Sequence, residues 1–215
     1  AIDETDKSKA YIRAESPHIP IDVALSGGER IRLGADWQIE VLHTPGHSRG
    51  HLTIWDPRSQ TLIICDATLY NAVLFNSGKP AFPPTYRYVD TYVASMNRFA
   101  GMPAKLMLTS HYPIYRDAQI AEFIAESRAY VDRMDATLLN ALADGEPRTM
   151  RQLIEQTDAS LGEWPAGAGI YLCHPFAGHL ERLVQYRGAG SGRRDGVFHC
   201  FLPRQPRVAR RWGLP

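Results

Sequence analysis

The character of the chain changes at Asp117. Before it, apolar residues come in short runs or alternate with polar ones, interrupted every few positions by Gly, Pro, Ser or Asp. After it, they recur at three- and four-residue intervals over long stretches. A period near two describes strands and a period near 3.6 describes helices, so a sheet should be built first and helices mostly after it. The strand candidates are Ile21–Leu25, Arg30–Leu33, Trp37–Val41, His51–Trp55, Thr61–Cys65 and Leu106–Leu108. In the third, Trp37, Ile39 and Val41 should face one way and Gln38 and Glu40 the other. Thr61–Cys65 is continuously apolar, as a fully buried strand is.

Two segments break the β pattern. Tyr70 to Tyr88 sets five aromatic residues (Tyr70, Phe75, Phe82, Tyr86 and Tyr88) among Pro80, Pro83, Pro84 and Gly78, which suits an ordered loop rather than one regular element. Val89, Tyr92, Val93, Met96 and Ala100 follow at helical spacing and stop at Gly101. Beyond 117, Asp117 is the expected N-cap of a long helix carrying Ile120, Phe123, Ile124, Val131, Met134, Leu138 and Leu142. Thr149 with Gln152 forms a capping-box pattern for a second, short helix. A third helix is expected between Ile170 and Tyr186, its regular part starting near Pro175. A turn at Arg194-Asp195-Gly196 and a strand Val197–Leu202 close the pattern. The tail carries Arg204, Arg207, Arg210 and Arg211.

With 215 residues, 44% hydrophobic and 22% charged, the chain has the composition of a folded protein of one or two domains. A formal charge of +1 gives no reason for the whole surface to attract nucleic acid or a membrane. No apolar run reaches membrane-spanning length, and the polar start, Ala1 to Ala10, is no secretory signal. The missing initiator Met points to a processed or trimmed product. Three scattered cysteines make no disulfide framework, fit a reducing compartment, and favour a cytoplasmic protein.

The segment richest in chemistry is Val41-Leu42-His43-Thr44-Pro45-Gly46-His47-Ser48-Arg49-Gly50-His51. One strand ends, Pro45-Gly46 turns the chain, an imidazole stands on the turn, and a second strand begins. Asp66 ends the buried strand Thr61–Cys65, and His111 follows the strand Leu106–Leu108. Three strands could each deliver one imidazole or carboxylate at the same end of a sheet, a donor set suited to Zn²⁺ and also to Fe or Mn. Taken singly, Asp66 could be a turn carboxylate and His111 a buried structural histidine. His43 and His51 read as packing or supporting residues, and His18, His174, His179 and His199 as ordinary ones.

Residues from about 27 to 116 resemble the C-terminal half of a metallo-β-lactamase-fold hydrolase. Thr44 to His51 resembles that family's TPGHxxGH motif, Thr61–Leu69 its strand leading to a bridging aspartate, and Leu108–Pro113 its segment bearing the last histidine. The resemblance implies an α/β fold: the C-terminal half of a metallo-β-lactamase αββα sandwich. It implies that His47 binds the first metal, that Asp66 bridges both and so serves the catalysis, and that His111 binds the second. Two zinc ions per complete site are implied. Two departures stand out: Cys65 occupies a position where the family commonly has Gly, and the upstream HxHxDH motif is absent. His47, Asp66 and His111 then give each metal only two ligands, where zinc favours four. One half alone would also leave an apolar sheet face uncovered. The chain alone is therefore expected to bind metal weakly and to be inactive, completed by a missing N-terminal half or a partner chain.

The C-terminal helices and last strand resemble the winged-helix-like appendage of the lactamase-β-like subgroup. Residues 1–125 would be the partial lactamase-like domain, 126–205 the winged-helix-like domain, and 206–215 a basic tail. The expected chemistry is hydrolysis, through a metal-bound hydroxide, of an ester, thioester, lactone, lactam or phosphoester bond of a small-molecule substrate. Tyr70, Phe75, Phe82 and Tyr86 are the candidate substrate-binding residues, against the alternative that their loop is a hydrophobic plug. The competing readings are a non-catalytic subunit and a nucleic-acid-binding winged-helix protein in which Arg182, Arg187, Arg193 and Arg194 meet phosphates. Nucleic acid is the less favoured partner because Glu163, Glu181 and Asp195 dilute that patch.

Overall fold

A computed structural model describes residues 6–16, 19–187, 190–194 and 197–202. The readings of His18 and of the tail arginines lie outside these residues. A helix, α1 (Asp6–Glu15), precedes the strands β1 (Arg30–Arg32), β2 (Gln38–His43), β3 (Leu52–Asp56) and β4 (Thr61–Cys65). Next come the short β5 (Val73–Leu74) and β6 (Pro80–Phe82), the helix α2 (Val89–Ala100), and the strands β7 (Leu106–Thr109) and β8 (Tyr115–Arg116). The long helix α3 (Ala118–Ala141) leads to β9 (Arg148–Thr149), α4 (Met150–Leu161), a 3₁₀ turn (Ala168–Leu172), α5 (Cys173–Arg187), β10 (Gly190–Arg194) and β11 (Val197–Phe201).

The fold is mixed α/β. Its principal sheet has six strands in the order β1-β2-β3-β4-β7-β8, antiparallel except where β4 and β7 run parallel. A parallel pair needs a crossover, and the stretch from β5 through α2 supplies it. Alternation then decides the faces. Leu62 and Ile64 of β4 and Met107 of β7 are fully buried and join Tyr92, Met96 and Phe99 of α2 and Phe123 and Ile124 of α3 in the core. The opposite face carries a row across four strands, Val41 opposite Ile54, Ile54 opposite Ile63, and Ile63 opposite Leu108. None of these four belongs to the helix-side core, and all but Val41 are only partly buried.

Register also decides where the loops fall. His43 pairs with Leu52, so the Thr44–His51 turn joins β2 to β3 at one end of the sheet. Because β3 runs antiparallel to β4, its start lies beside the end of β4. Because β4 and β7 are parallel, Cys65 aligned with Thr109, their C-terminal ends share that edge. The turn bearing His47, the residue Asp66 and the residue His111 thus collect at one sheet edge.

The helical part uses the expected devices in part. Thr149 caps α4 with a full capping box, its Oγ1 accepting from the Gln152 N–H while the Gln152 side chain reaches back. Asp117 precedes α3 but makes no side-chain cap; its φ of 46° turns the chain instead. α5 starts at Cys173, so Pro175 sits in its first turn, where a missing N–H costs nothing. β9, β11 and β10 form a three-stranded antiparallel sheet beside these helices. The expected boundary at 125/126 falls inside α3, and one hydrophobic cluster runs from Leu42 through Leu183 to Cys200. Both parts therefore share a core.

Three expectations about local structure are corrected. Ile21–Leu25 forms no strand; Ile21 and Val23 are 73% and 72% exposed. β2 does not alternate cleanly, since Val41 and Leu42 are both buried and Trp37 is exposed ahead of the strand. The Tyr70–Tyr88 segment is an ordered connection as expected, but it contains the small β5–β6 ribbon.

Candidate metal centre

The turn carrying His47 is docked by its backbone. Gly46 has φ 152°, and a Cβ there would lie 2.5 Å from the Tyr92 Cα, so only Gly lets the turn seat on the first turn of α2. Its carbonyl accepts from the N–H groups of Arg87 and Tyr88, each at 2.9 Å, and the Pro45 carbonyl accepts from Ser95 Oγ at 2.9 Å. His47 Nδ1 donates to the Thr85 carbonyl at 2.6 Å. That bond selects the tautomer: Nδ1 carries the proton and Nε2 keeps a free lone pair.

Asp66 follows Cys65, whose φ is 46°. This left-handed conformation is cheap for Gly and costly for a side chain, which gives a physical reason for Gly at such a position. The sharp turn swings Asp66 away from the strand direction. Its Oδ1 is buried and makes no hydrogen bond, although His111 Nε2 lies 3.3 Å away. An imidazole nitrogen and a carboxylate oxygen that face each other without a hydrogen bond are disposed like two donors to one cation. The loop bearing His111 is pinned by the next residue, since the buried Tyr112 hydroxyl donates to the Ala72 carbonyl at 2.9 Å.

His51, read from sequence as a supporting residue, stands beside the centre. Its ring is 6.1 Å from that of His47 and nearly perpendicular to it. Burial, then the neighbouring His47, holds His51 below its ordinary value of 6.5, while Asp66 pulls the other way. Among the described residues, no three His, Cys, Asp or Glu side chains gather closely enough to hold a metal ion by themselves. The residues nonetheless suit a metal in chemistry: a tautomer-fixed His47, an unpartnered carboxylate oxygen on Asp66, and His111 across from it.

The aromatic candidates divide. Phe75 and Phe82 line, together with His111, an open groove of ≈ 590 Å³. Tyr70 is half-buried and stacks on Phe123, 5.6 Å between ring centroids. Tyr86 does not line this groove. It is fully buried, stacked on Tyr92 at 4.2 Å, and its hydroxyl is 2.8 Å from His179 Nε2. A ring enclosed on all sides cannot receive a substrate, so Tyr86 is a core residue. His179 joins it there, bonded through Nδ1 to Asp135 at 2.6 Å. Arg182 is also committed internally, to Asp135 at 3.0 Å and Asp90 at 2.9 Å, rather than presented to phosphates.

From sequence, His174 reads as an ordinary histidine and Tyr171 has no role; the structure sets Tyr171 beside Phe82 and His174 beside Tyr171. Tyr171 packs on Phe82 at 5.1 Å and lies near-parallel to His174 at 6.4 Å. His174 is exposed on the whole, yet partial burial of its ring first, then the charge of His47 and of Arg87, holds it below its ordinary 6.5. No local motif marks these residues; a close approach of helices to the site brings them there. Gly178 permits it, because a Cβ there would fall 2.1 Å from the Arg87 carbonyl oxygen.

The family model of the Metallo-beta-lactamase superfamily matches residues 3–111, which contain His47, Asp66 and His111. The chain belongs to the metallo-beta-lactamase superfamily. It is 33% identical over 66 residues to a hydroxyacylglutathione hydrolase of Nitrosococcus oceani, covering 31% of this chain and 25% of that one. A hydroxyacylglutathione hydrolase of Pseudomonas aeruginosa is 37% identical over 51 residues, covering 24% and 19%. In fold, the chain is similar to a beta-lactamase domain protein from Burkholderia ambifaria, with a TM-score of 0.68, 21% identity, and coverage of 86% and 53%. A metallo-beta-lactamase family protein from Thermus thermophilus gives 0.62, 22%, 93% and 60%. The matched region thus spans a quarter or less of these curated superfamily relatives and little more than half of these solved structures.

Proposed function

We propose that this chain supplies half of a binuclear metal-dependent hydrolase site, in which His47 ligates one metal, Asp66 bridges and His111 ligates the other. The observation that supports this most is the buried, unbonded Asp66 Oδ1 facing His111 Nε2 at 3.3 Å. Two divalent cations, zinc by preference, when bound supply a nucleophile at about neutral pH and draw charge from a substrate carbonyl. The chain's own groups orient them: Thr85 fixes the His47 tautomer, Tyr112 anchors the His111 loop, and the turn at Cys65 aims Asp66. Two donors per ion fall short of a zinc shell, so the remaining ligands come from residues outside this chain's described part, on an upstream half or a partner. The row Val41, Ile54, Ile63 and Leu108 is the face such a partner layer would cover.

Among hydrolysable bonds, a thioester is the first choice, because two similar proteins are hydroxyacylglutathione hydrolases. The helices α3, α4 and α5 with the sheet β9-β11-β10 form a winged-helix-like unit that buttresses this site rather than binding nucleic acid; Arg182, turned inward, supports that choice. The cysteines Cys65, Cys173 and Cys200 are free, which suits the proposed cytoplasmic location. No described helix is long and apolar enough to cross a membrane. The test is turnover of a hydroxyacylglutathione thioester by the zinc-loaded full-length protein. Asp66→Ala and His47→Ala should each abolish it; a full-length protein that keeps its rate after either change refutes the proposal, and one that binds zinc but never turns over is a non-catalytic subunit.

A further inference from the structure

A series of neighbouring rings forms an open arc beside the candidate centre. His47 lies close enough to His174 for their charges to interact. His174 lies 6.4 Å from Tyr171, in near-parallel planes, and Tyr171 packs against Phe82 at 5.1 Å. Phe82 and Phe75 line the groove that His111 also lines, and His111 returns to Asp66. Half of this arc comes from the 3₁₀ turn and the start of α5, far along the chain from the metal-binding motifs. Tyr171 is 45% exposed and Phe75 52% exposed, so both present ring surface to solvent. Among the described residues, no Lys, Arg, Asp or Glu lines the groove.

We propose that Tyr171 and His174 are specificity-determining residues that, with Phe75 and Phe82, form the wall receiving an aromatic or flat apolar acyl group beside the metal centre. This rests on the hydrolase reading for its chemistry, but the binding it describes does not need turnover. Exposed aromatic faces gain most from a flat apolar partner, which buries area and stacks with offset or edge contacts. A charged acyl group would be desolvated against rings with no counter-charge, which costs free energy. His174 lies near-parallel to Tyr171, which packs on the groove residue Phe82, so it acts as a positioning residue for the wall. Its location at the base of α5 also ties the selectivity of the site to the helical part of the chain.

The experiment has two arms. In the first, phenylacetate and acetate are titrated into the full chain by calorimetry and by NMR of aromatic resonances. The parent binds phenylacetate more tightly than acetate, with shifts at Tyr171, Phe82 and His174. Tyr171→Ala weakens phenylacetate by about tenfold, while Tyr171→Phe, which keeps the ring, stays near the parent. His174→Ala weakens it less and shifts the Tyr171 signals; His174→Gln tests the same loss with a polar replacement. Circular dichroism confirms that each variant is folded. In the second arm, the zinc-loaded full-length protein is given phenylacetyl and acetyl thioesters. Tyr171→Ala raises KM for the phenylacetyl substrate by a larger factor than for the acetyl one, with zinc content unchanged. Equal affinity for phenylacetate in the parent and Tyr171→Ala overturns this inference. Normal phenylacetate binding with no hydrolysis of either thioester leaves this wall standing and counts against the hydrolase instead.

Discussion

Replacing Tyr86 by Phe removes one oxygen from a fully enclosed position. That hydroxyl donates to His179 Nε2 at 2.8 Å, while His179 Nδ1 donates to Asp135 at 2.6 Å. Burial holds His179 below its ordinary value, so the ring is neutral and Nε2 is an acceptor. After the change Nε2 has no donor, and His179, with 0% exposure, cannot reach water. An orphaned buried acceptor costs about 1–3 kcal/mol. The ring itself stays stacked on Tyr92, so no cavity term of note is added. For a protein of this size the loss lowers Tm by about 2–12 °C. The assay is thermal unfolding by circular dichroism at neutral to slightly alkaline pH, with phenylacetate titration alongside. Stability should fall and phenylacetate affinity should hold. A Tm unchanged within error, or a weakened affinity at unchanged Tm, would refute the reasoning and return Tyr86 to the substrate wall.

Three other outcomes are expected. Gly46→Ala drives a methyl group into the Tyr92 backbone, so it should cost about 1–3 kcal/mol in stability and weaken zinc affinity, read by chemical denaturation and calorimetry. At Cys65, with φ 46°, Gly should match or exceed the parent's stability, whereas Val should lose about 1–2 kcal/mol, and equal denaturation midpoints for Gly and Val would contradict the strain argument. The pH dependence follows from His179 and Asp135, both held below their ordinary values of 6.5 and 3.8. Burial lowers His179; burial pushes Asp135 up, but its partners His179 and Arg182 outweigh that and lower it. The unfolded state then binds protons that the folded state refuses, so stability is full above pH 6.5 and falls as the pH drops below it, with Asp135 adding a further loss below 3.8. A His179→Leu variant should show a flatter slope in denaturation midpoints as the pH is lowered through 6.5.

Much of the sheet was legible because its strands announce themselves locally. Thr61–Cys65 and the helix Val89–Ala100 stand where period and stop signals put them. The capping box at Thr149 and Gln152 was equally local. The candidate residues His47, Asp66 and His111 were legible as three motifs, and register explains why they share a sheet edge. Ile21–Leu25 misled because an apolar run says nothing about whether a partner surface exists for it. Tyr86 misled because an aromatic in a proline-rich loop can turn inward as readily as outward; only the distant His179 decides. Tyr171 and His174 carry no local signal, since the place proposed for them depends on α5 packing against Arg87 through Gly178.

The central claim is that His47, Asp66 and His111 serve one cluster of cations. Titration of Co²⁺ into the chain, followed by NMR of the histidine ring protons, tests it most directly. The account predicts that the His47 and His111 signals broaden or shift in the same concentration range, and that Asp66→Asn abolishes both effects. Signals that respond independently of each other, or that respond unchanged in Asp66→Asn, would contradict it.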